Sequence, residues 1–259
     1  MIKQSQLDDY LKKLFTPDLI KKAREIDTKL PNGLQVPGRK EIKKIVTGVS
    51  ISAELIKQAI KKKADTIIVH HALNLALPYN ILLPYQQKRL KLLLENNLNL
   101  FGFHYCLDAD SKIGNNAVMA KLLKAKIVDS YFDTWGFVGE LSKAASIQSL
   151  ADKVKKICDH DVFVINASKG KVKRLGIVSG GGIPDLKDLA EIREKQVELH
   201  ITGEIKESSL HQFLESGISY FAGGHYATET LGIKALTKKI KKDFKGQVEI
   251  EFVDINNPL

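Results

Sequence analysis

His104 is followed four positions later by Asp108 in the stretch GFHYCLD, and 121 residues further on His225 is followed four positions later by Glu229 in GHYATE. At a helix start, a histidine and an acid at this spacing lie on one face, a turn apart. Imidazole nitrogens together with carboxylate oxygens suit zinc, iron, manganese or nickel. Each element also has a plainer use. Asp108 and Glu229 can be acids in a first helical turn, where the helix dipole favours negative charge. The pair His70-His71, closing the apolar run TIIVHH, can be polar residues at a strand end. His160 and His211 fall outside the repeated pattern and read as surface or helix-packing histidines. The duplicated His-Tyr-x-x-acid spacing is what tips the reading toward metal. Cys106 and Cys158 form no CxxC pair, which argues against a closed structural zinc site and against a disulfide framework.

The elements around these residues follow one plan written twice. Ile45 to Ser50 reads as a buried strand, followed by a helical pattern with Leu55, Ile56, Ala59 and Ile60 on one face, then the strand TIIVHH. Leu175 to Gly180 is followed by a helical pattern with Leu186, Leu189 and Ala190 on one face, then VELHITGE. Each half continues with a helix and a strand: a loop, QQKRLKLLLENN and LNLFGF before His104, and SSLHQFLESG and ISYFAGG before His225. Parallel strands joined through helices imply an α/β class. The expectation is two similar α/β halves from an internal duplication, residues 1–126 and 127–259, with mainly parallel sheets flanked by helices and a metal site between the halves. In open α/β sheets ligands bind beyond the carboxyl ends of the strands. His70, His71, His104, Glu204 and His225 all stand at such ends.

Two stretches carry less. Ser179-Gly180-Gly181-Gly182 is either a tight turn or a backbone phosphate cradle, and it lacks the GxGxxG and Walker spacings. Asn32 to Val36, NGLQV, reads as a turn entering an edge strand, with no chemistry suggested by its spacing.

The bulk numbers exclude more than they assign. With 44% hydrophobic and 27% charged residues in 259, the chain has the composition of a globular protein and not of a disordered one. No apolar run approaches the ~20 residues of a membrane helix. The segment MIKQSQLDDYLKKLF carries acids and no continuous apolar run, so it is not read as a signal peptide, and a cytoplasmic protein is expected. The net charge is +10, but five arginines stand among 40 basic residues, without interleaved aromatics. That favours solvated lysine-rich helix faces over a nucleic-acid interface, which is only weakly supported.

Taken in order along nearly the whole chain, NGLQV, IIVHH, FHYCLDADSKIGNN, IVSGGG, ITGE and GGHYATE resemble the dinuclear-metal-centre hexameric family, the Ngg-one-interacting-factor-three-like proteins. Many members bear the name GTP cyclohydrolase 1 type 2 homologue. The resemblance implies two divalent transition-metal ions held by His70, His71, Asp108, His225 and Glu229. It places His104 beside the centre, as ligand or acid/base, and Glu204 close to it. It also implies a homohexamer with its metal sites facing an internal cavity. The sequence departs from the family at Ala72, where proline is usual, and lacks the tryptophan that usually precedes NGLQV. A metal-dependent hydrolase acting on GTP, another nucleotide or a small phosphorylated substrate is the leading expectation. A regulatory or scaffold protein with structural metals and a protein or nucleic-acid partner is the alternative, and a metal-storage protein the third.

Overall fold

The computed structural model describes residues 1–75, 81–255 and 257–259; the loop expected after His71 lies partly outside them. The chain forms two compact units, residues 1–107 with 233–256, and residues 108–232 with 257–259. The division expected near residue 126 falls within a strand of the second unit, and the last helix runs on into a strand of the first.

In chain order the first unit contains β1 (Ile2–Lys3), α1 (Gln4–Leu14), α2 (Pro17–Ile26), β2 (Asn32–Val36), β3 (Glu41–Ile42), β4 (Lys44–Ser50), α3 (Ala53–Lys61), β5 (Thr66–His71), α4 (Pro84–Glu95) and β6 (Asn99–Phe103). A short helix, α5 (Tyr105–Ala109), follows His104 and crosses the boundary between the units. The second unit holds α6 (Asn115–Leu123), β7 (Ala125–Tyr131), β8 (Gly136–Ala145), α7 (Ile147–Cys158), β9 (Phe163–Ile165), β10 (Val172–Ile177), α8 (Leu186–Glu194), β11 (Leu199–Thr202), α9 (Ser209–Ser216) and β12 (Ser219–Ala222). The long helix α10 (His225–Asp243) begins there, and β13 (Glu249–Phe252) completes the first unit.

The first unit is built on a five-stranded sheet of order β13-β4-β5-β6-β2, parallel except for the antiparallel edge strand β2. NGLQV therefore is the edge strand its sequence suggests. The second unit has six strands in the order β7-β8-β10-β11-β12-β9. Only β10, β11 and β12 are mutually parallel; β7, β8 and β9 join antiparallel, so this sheet is less parallel than the sequence pattern implies. The plan written twice is visible as β4-α3-β5-α4-β6 and β10-α8-β11-α9-β12. Each ends in a parallel strand, and each is followed by a helix carrying a His-Tyr-x-x-acid motif.

The local causes are ordinary. Ser52 caps α3 by accepting the Leu55 amide, and Leu55, Ile56 and Ala59 bury the face that packs on Val46, Ile67 and Val69. In α8 the expected apolar face is displaced. Asp185 caps the helix through the Lys187 and Asp188 amides, leaving Leu186 81% exposed and making Ile192 the buried residue. Leu186 and Ala190 are exposed and Leu189 is half-buried, so the buried face lies on the side of Leu189 and Ile192. Among the described residues, no helix is long and apolar enough to cross a membrane.

Candidate functional site

In the first unit three histidines meet at the carboxyl ends of β5 and β6. His70 and His71 close β5, and His104 follows β6 directly. Side chains on a regular strand alternate between faces, yet at this strand end the His70 and His71 rings lie 4.5 Å apart. Both are close to His104, at 4.9 and 5.3 Å between centroids. Each ring offers one nitrogen within 4.8 Å of the others, a spacing that suits a shared cation.

Hydrogen bonds assign the nitrogens of two of the three rings. His70 is fully buried, and its Nδ1–H donates to the Phe103 carbonyl at 3.0 Å. A carbonyl only accepts, so the proton of a neutral ring sits on Nδ1 and Nε2 carries the lone pair. His104 Nδ1 donates to Asp27 Oδ2 at 2.7 Å, with the same consequence. His71 Nδ1 pairs with the Ser50 hydroxyl at 2.9 Å. Histidines that bind metals almost always use one nitrogen in this way, which orients the other.

Asp27 was not found from sequence, having no periodic or motif signal of its own. It ends α2 and is nearly buried, where it also accepts from the Leu30 and Tyr105 amides and from Asn32 Nδ2. Burial alone would raise its pKa; the bond and charge of His104 and the two amides outweigh it and hold the carboxyl below its usual value. NGLQV also has a task that its spacing did not show. Asn32 Oδ1 accepts the Cys106 amide at 2.9 Å, and Gln35 exchanges two hydrogen bonds with the Leu73 backbone. One side chain holds the start of the helix after His104, the other the chain after His71.

The second unit supplies carboxylates. His225 opens α10 and Glu229 stands one turn along it, with Nε2 and Oε1 3.2 Å apart. Glu204, just beyond β11, meets His225 Nδ1 at 2.6 Å. Burial would lower the pKa of His225, but the hydrogen bonds and charges of Glu229 and then Glu204 push it up to about 9. In the absence of a cation, the ring is an imidazolium held between two acids. Asp108, also nearly buried, accepts at Oδ1 from Asn115 Nδ2 at 2.9 Å and from the Ser179 hydroxyl at 3.0 Å. Two donors on one oxygen fix the carboxylate plane. Asn115 and Asn116 are themselves fully buried; as adjacent polar residues ahead of a helical run, they were the signal that could have revealed this support.

The glycine run resolves as a tight turn. The Ser179 amide donates to Asn116 Oδ1 and the Gly180 amide to Thr228 Oγ1, so neither is directed at a phosphate. Gly180 has φ +64°, and a Cβ there would lie 2.1 Å from Glu229 Oε1 and 3.1 Å from His225 Nε2. The turn must be glycine because it closes directly over that pair.

The first unit thus brings together His70, His71 and His104, and the second brings together His225, Glu229 and Glu204, with Asp108 anchored separately on its own two donors. Imidazoles, nearly buried carboxylates and no thiolate in the set fit a borderline divalent cation. His211 is exposed on α9, as expected of a surface histidine, and His160 lines a cavity in the second unit.

Comparison with known proteins gives a consistent answer. The family model for Duf34/NIF3 (NGG1p interacting factor 3) matches residues 2–258. A protein of Haemophilus influenzae named GTP cyclohydrolase 1 type 2 homolog is 37% identical over 241 residues, covering 90% of this chain and 93% of the relative. Among solved structures, the protein ybgI, described as of unknown function, superposes with TM-score 0.85 at 30% identity over the full length of both chains. Reduced HcgD from Methanocaldococcus jannaschii superposes with TM-score 0.84 at 25% identity, covering 98% of each chain.

Proposed function

The chain belongs to the Duf34/NIF3 family, and we propose that it is a metal-dependent hydrolase with two divalent transition-metal ions, acting on GTP or another nucleotide. The observation that carries this reading is the pair of donor groups, three histidines, of which His70 and His104 have their nitrogens assigned by their hydrogen bonds, and the nearly buried carboxylates Asp108 and Glu229. His70, His71, Asp108, His225 and Glu229 hold the ions in this reading. Such ions supply Lewis acidity, polarising an electrophile and making water acidic enough to attack near neutral pH.

The chain's own residues do the rest. Asp27 holds the Nδ1 proton of His104, which keeps the Nε2 lone pair available either to an ion as a further ligand or to a proton in the reaction. Glu204 fixes the ring of His225 through Nδ1. The relatives' name, GTP cyclohydrolase 1 type 2 homolog, supports GTP as the substrate; in this reading the attack falls on C8 of the guanine ring and releases formate. A homohexamer is part of the proposal. Leu75, Ile81, Leu82 and Tyr85 are 38–58% exposed in one stretch of the first unit, which supports burial against another copy. Analytical ultracentrifugation tests this, and a monomer would remove it.

The deciding experiment is elemental analysis of protein purified without a histidine tag or chelator. Two ions per chain are expected, falling in Asp108→Ala and Glu229→Ala, with GTP hydrolysis lost alongside. Protein that cannot be loaded with zinc, iron, manganese or nickel would return the lead to a scaffold role.

A further inference from the structure

The second unit contains a cavity of about 550 Å³ that touches the metal-binding residues on one side. Its lining differs around the rim. Gly203, Ala222 and Gly224 carry no side chain beyond a methyl, so the floor is bare backbone. That bareness is enforced by packing. A Cβ on Gly203 would lie 2.6 Å from His225 Cα, and Gly224 has φ +87° with the His160 ring 3.0 Å from where its Cβ would be. The lining also includes Phe163, the first residue of β9, paired with Ala222 at the carboxyl end of β12 and 52% exposed. Along one side lie Glu204 and His225.

We propose that this cavity is a binding slot for a flat nitrogen heterocycle bearing N–H donors, the base of a nucleotide substrate. The inference rests on the nucleotide-hydrolase reading above and names the part of the substrate that each wall receives. The floor without side chains admits a planar ring edge-on to the backbone. Phe163 offers a face for stacking, an interaction that tolerates any base. Glu204 uses Oε1 on His225, and a carboxylate has a second oxygen able to accept from N–H groups of the ring. Because Glu204 also orients His225, the heterocycle would be positioned beside the reacting centre by the same side chain.

The test is isothermal titration of zinc-loaded protein with guanosine 5′-monophosphate and, separately, ribose 5-phosphate. The nucleotide should bind at least about tenfold more tightly than the sugar phosphate, a difference that base stacking supplies. Phe163→Ala should erase most of that difference and leave zinc content and ribose 5-phosphate binding unchanged, since Phe163 is not among the proposed ligands. Phe163→Trp should restore it, which separates stacking from a general loss of folding. Equal binding of the two probes by the wild-type protein, or an unaltered preference in Phe163→Ala, would overturn the slot. A preserved preference with no metal-dependent hydrolysis of GTP would unseat the hydrolase reading and leave the slot standing.

Discussion

At the scale of single residues, the side chains behind the donors set how well a metal is held. Asp27 is nearly buried and bonded to His104 at 2.7 Å. Removing it in Asp27→Ala leaves the ring orientation to chance, and loss of such a partner typically weakens metal affinity by about 10–100-fold. Competition with a chromogenic chelator measures this directly; an affinity within twofold of wild type would show that His104 takes no part in holding the ion. Gly180→Ala acts within the second unit. Its Cβ would enter the space of the Glu229 carboxylate at 2.1 Å, at a backbone φ of +64°. A left-handed non-glycine residue costs about 1–2 kcal/mol, so a lowered melting temperature and poorer metal retention are expected together. Unchanged metal content in this variant would show that the turn can yield without moving Glu229. Neither Asp27 nor Gly180 was legible as a functional residue. The first bonds a residue 77 positions away, and the second matters because of a neighbour 49 positions along. Such proximity is a property of the fold and leaves no local spacing to read.

At the scale of elements, what was legible is what depends on periodicity. The runs ending in His70-His71, His104 and His225 are strands and helix starts at the places their hydrophobic pattern predicts, because buried parallel strands and amphipathic helices write their environment into the sequence. The antiparallel strands β7, β8 and β9 were not placed in the second sheet, since pairing partners are set by tertiary packing and not by local pattern. The apolar face of α8 differs from the expected one for a related reason: which side of a helix is covered is set by its tertiary neighbours, and here that side carries Ile192 and not Leu186. This makes a contrast that thermal or urea unfolding can measure. Leu186→Ala should be nearly silent, since the side chain is 81% exposed. Ile192→Ala removes a fully buried side chain packed with Phe213 and Tyr220, and should cost about 2–5 kcal/mol. Equal effects from the two substitutions would mean that α8 is rotated from the orientation described.

At the scale of the whole molecule, stability against acid is governed in part by a histidine that no motif marks. His200 lies in the middle of β11, fully buried among the rings of Tyr131, Phe132, Phe213 and Tyr220. Its Nε2–H donates to the Gly182 carbonyl at 2.8 Å, and its Nδ1 faces the Tyr131 hydroxyl at 2.7 Å, which then donates to the neutral ring. Burial disfavours the imidazolium and brings the pKa down to about 4 from the ordinary 6.5, against the opposing bond to Gly182. The unfolded chain, with an ordinary histidine, therefore binds a proton at a pH where the folded protein does not. Stability from this residue is fully present above about pH 6.5 and is lost as pH falls from there to about 4, below which both states are protonated and the loss stops growing. A displacement of this size corresponds to about 3 kcal/mol over that interval. Other groups titrate in the same range, so the quantity to read is a difference. Urea unfolding of wild type and His200→Gln between pH 7 and pH 4 should show the variant less stable at neutral pH and its stability flatter toward acid by roughly that amount. Parallel curves for the two proteins would mean that His200 is protonated as readily inside the fold as outside it.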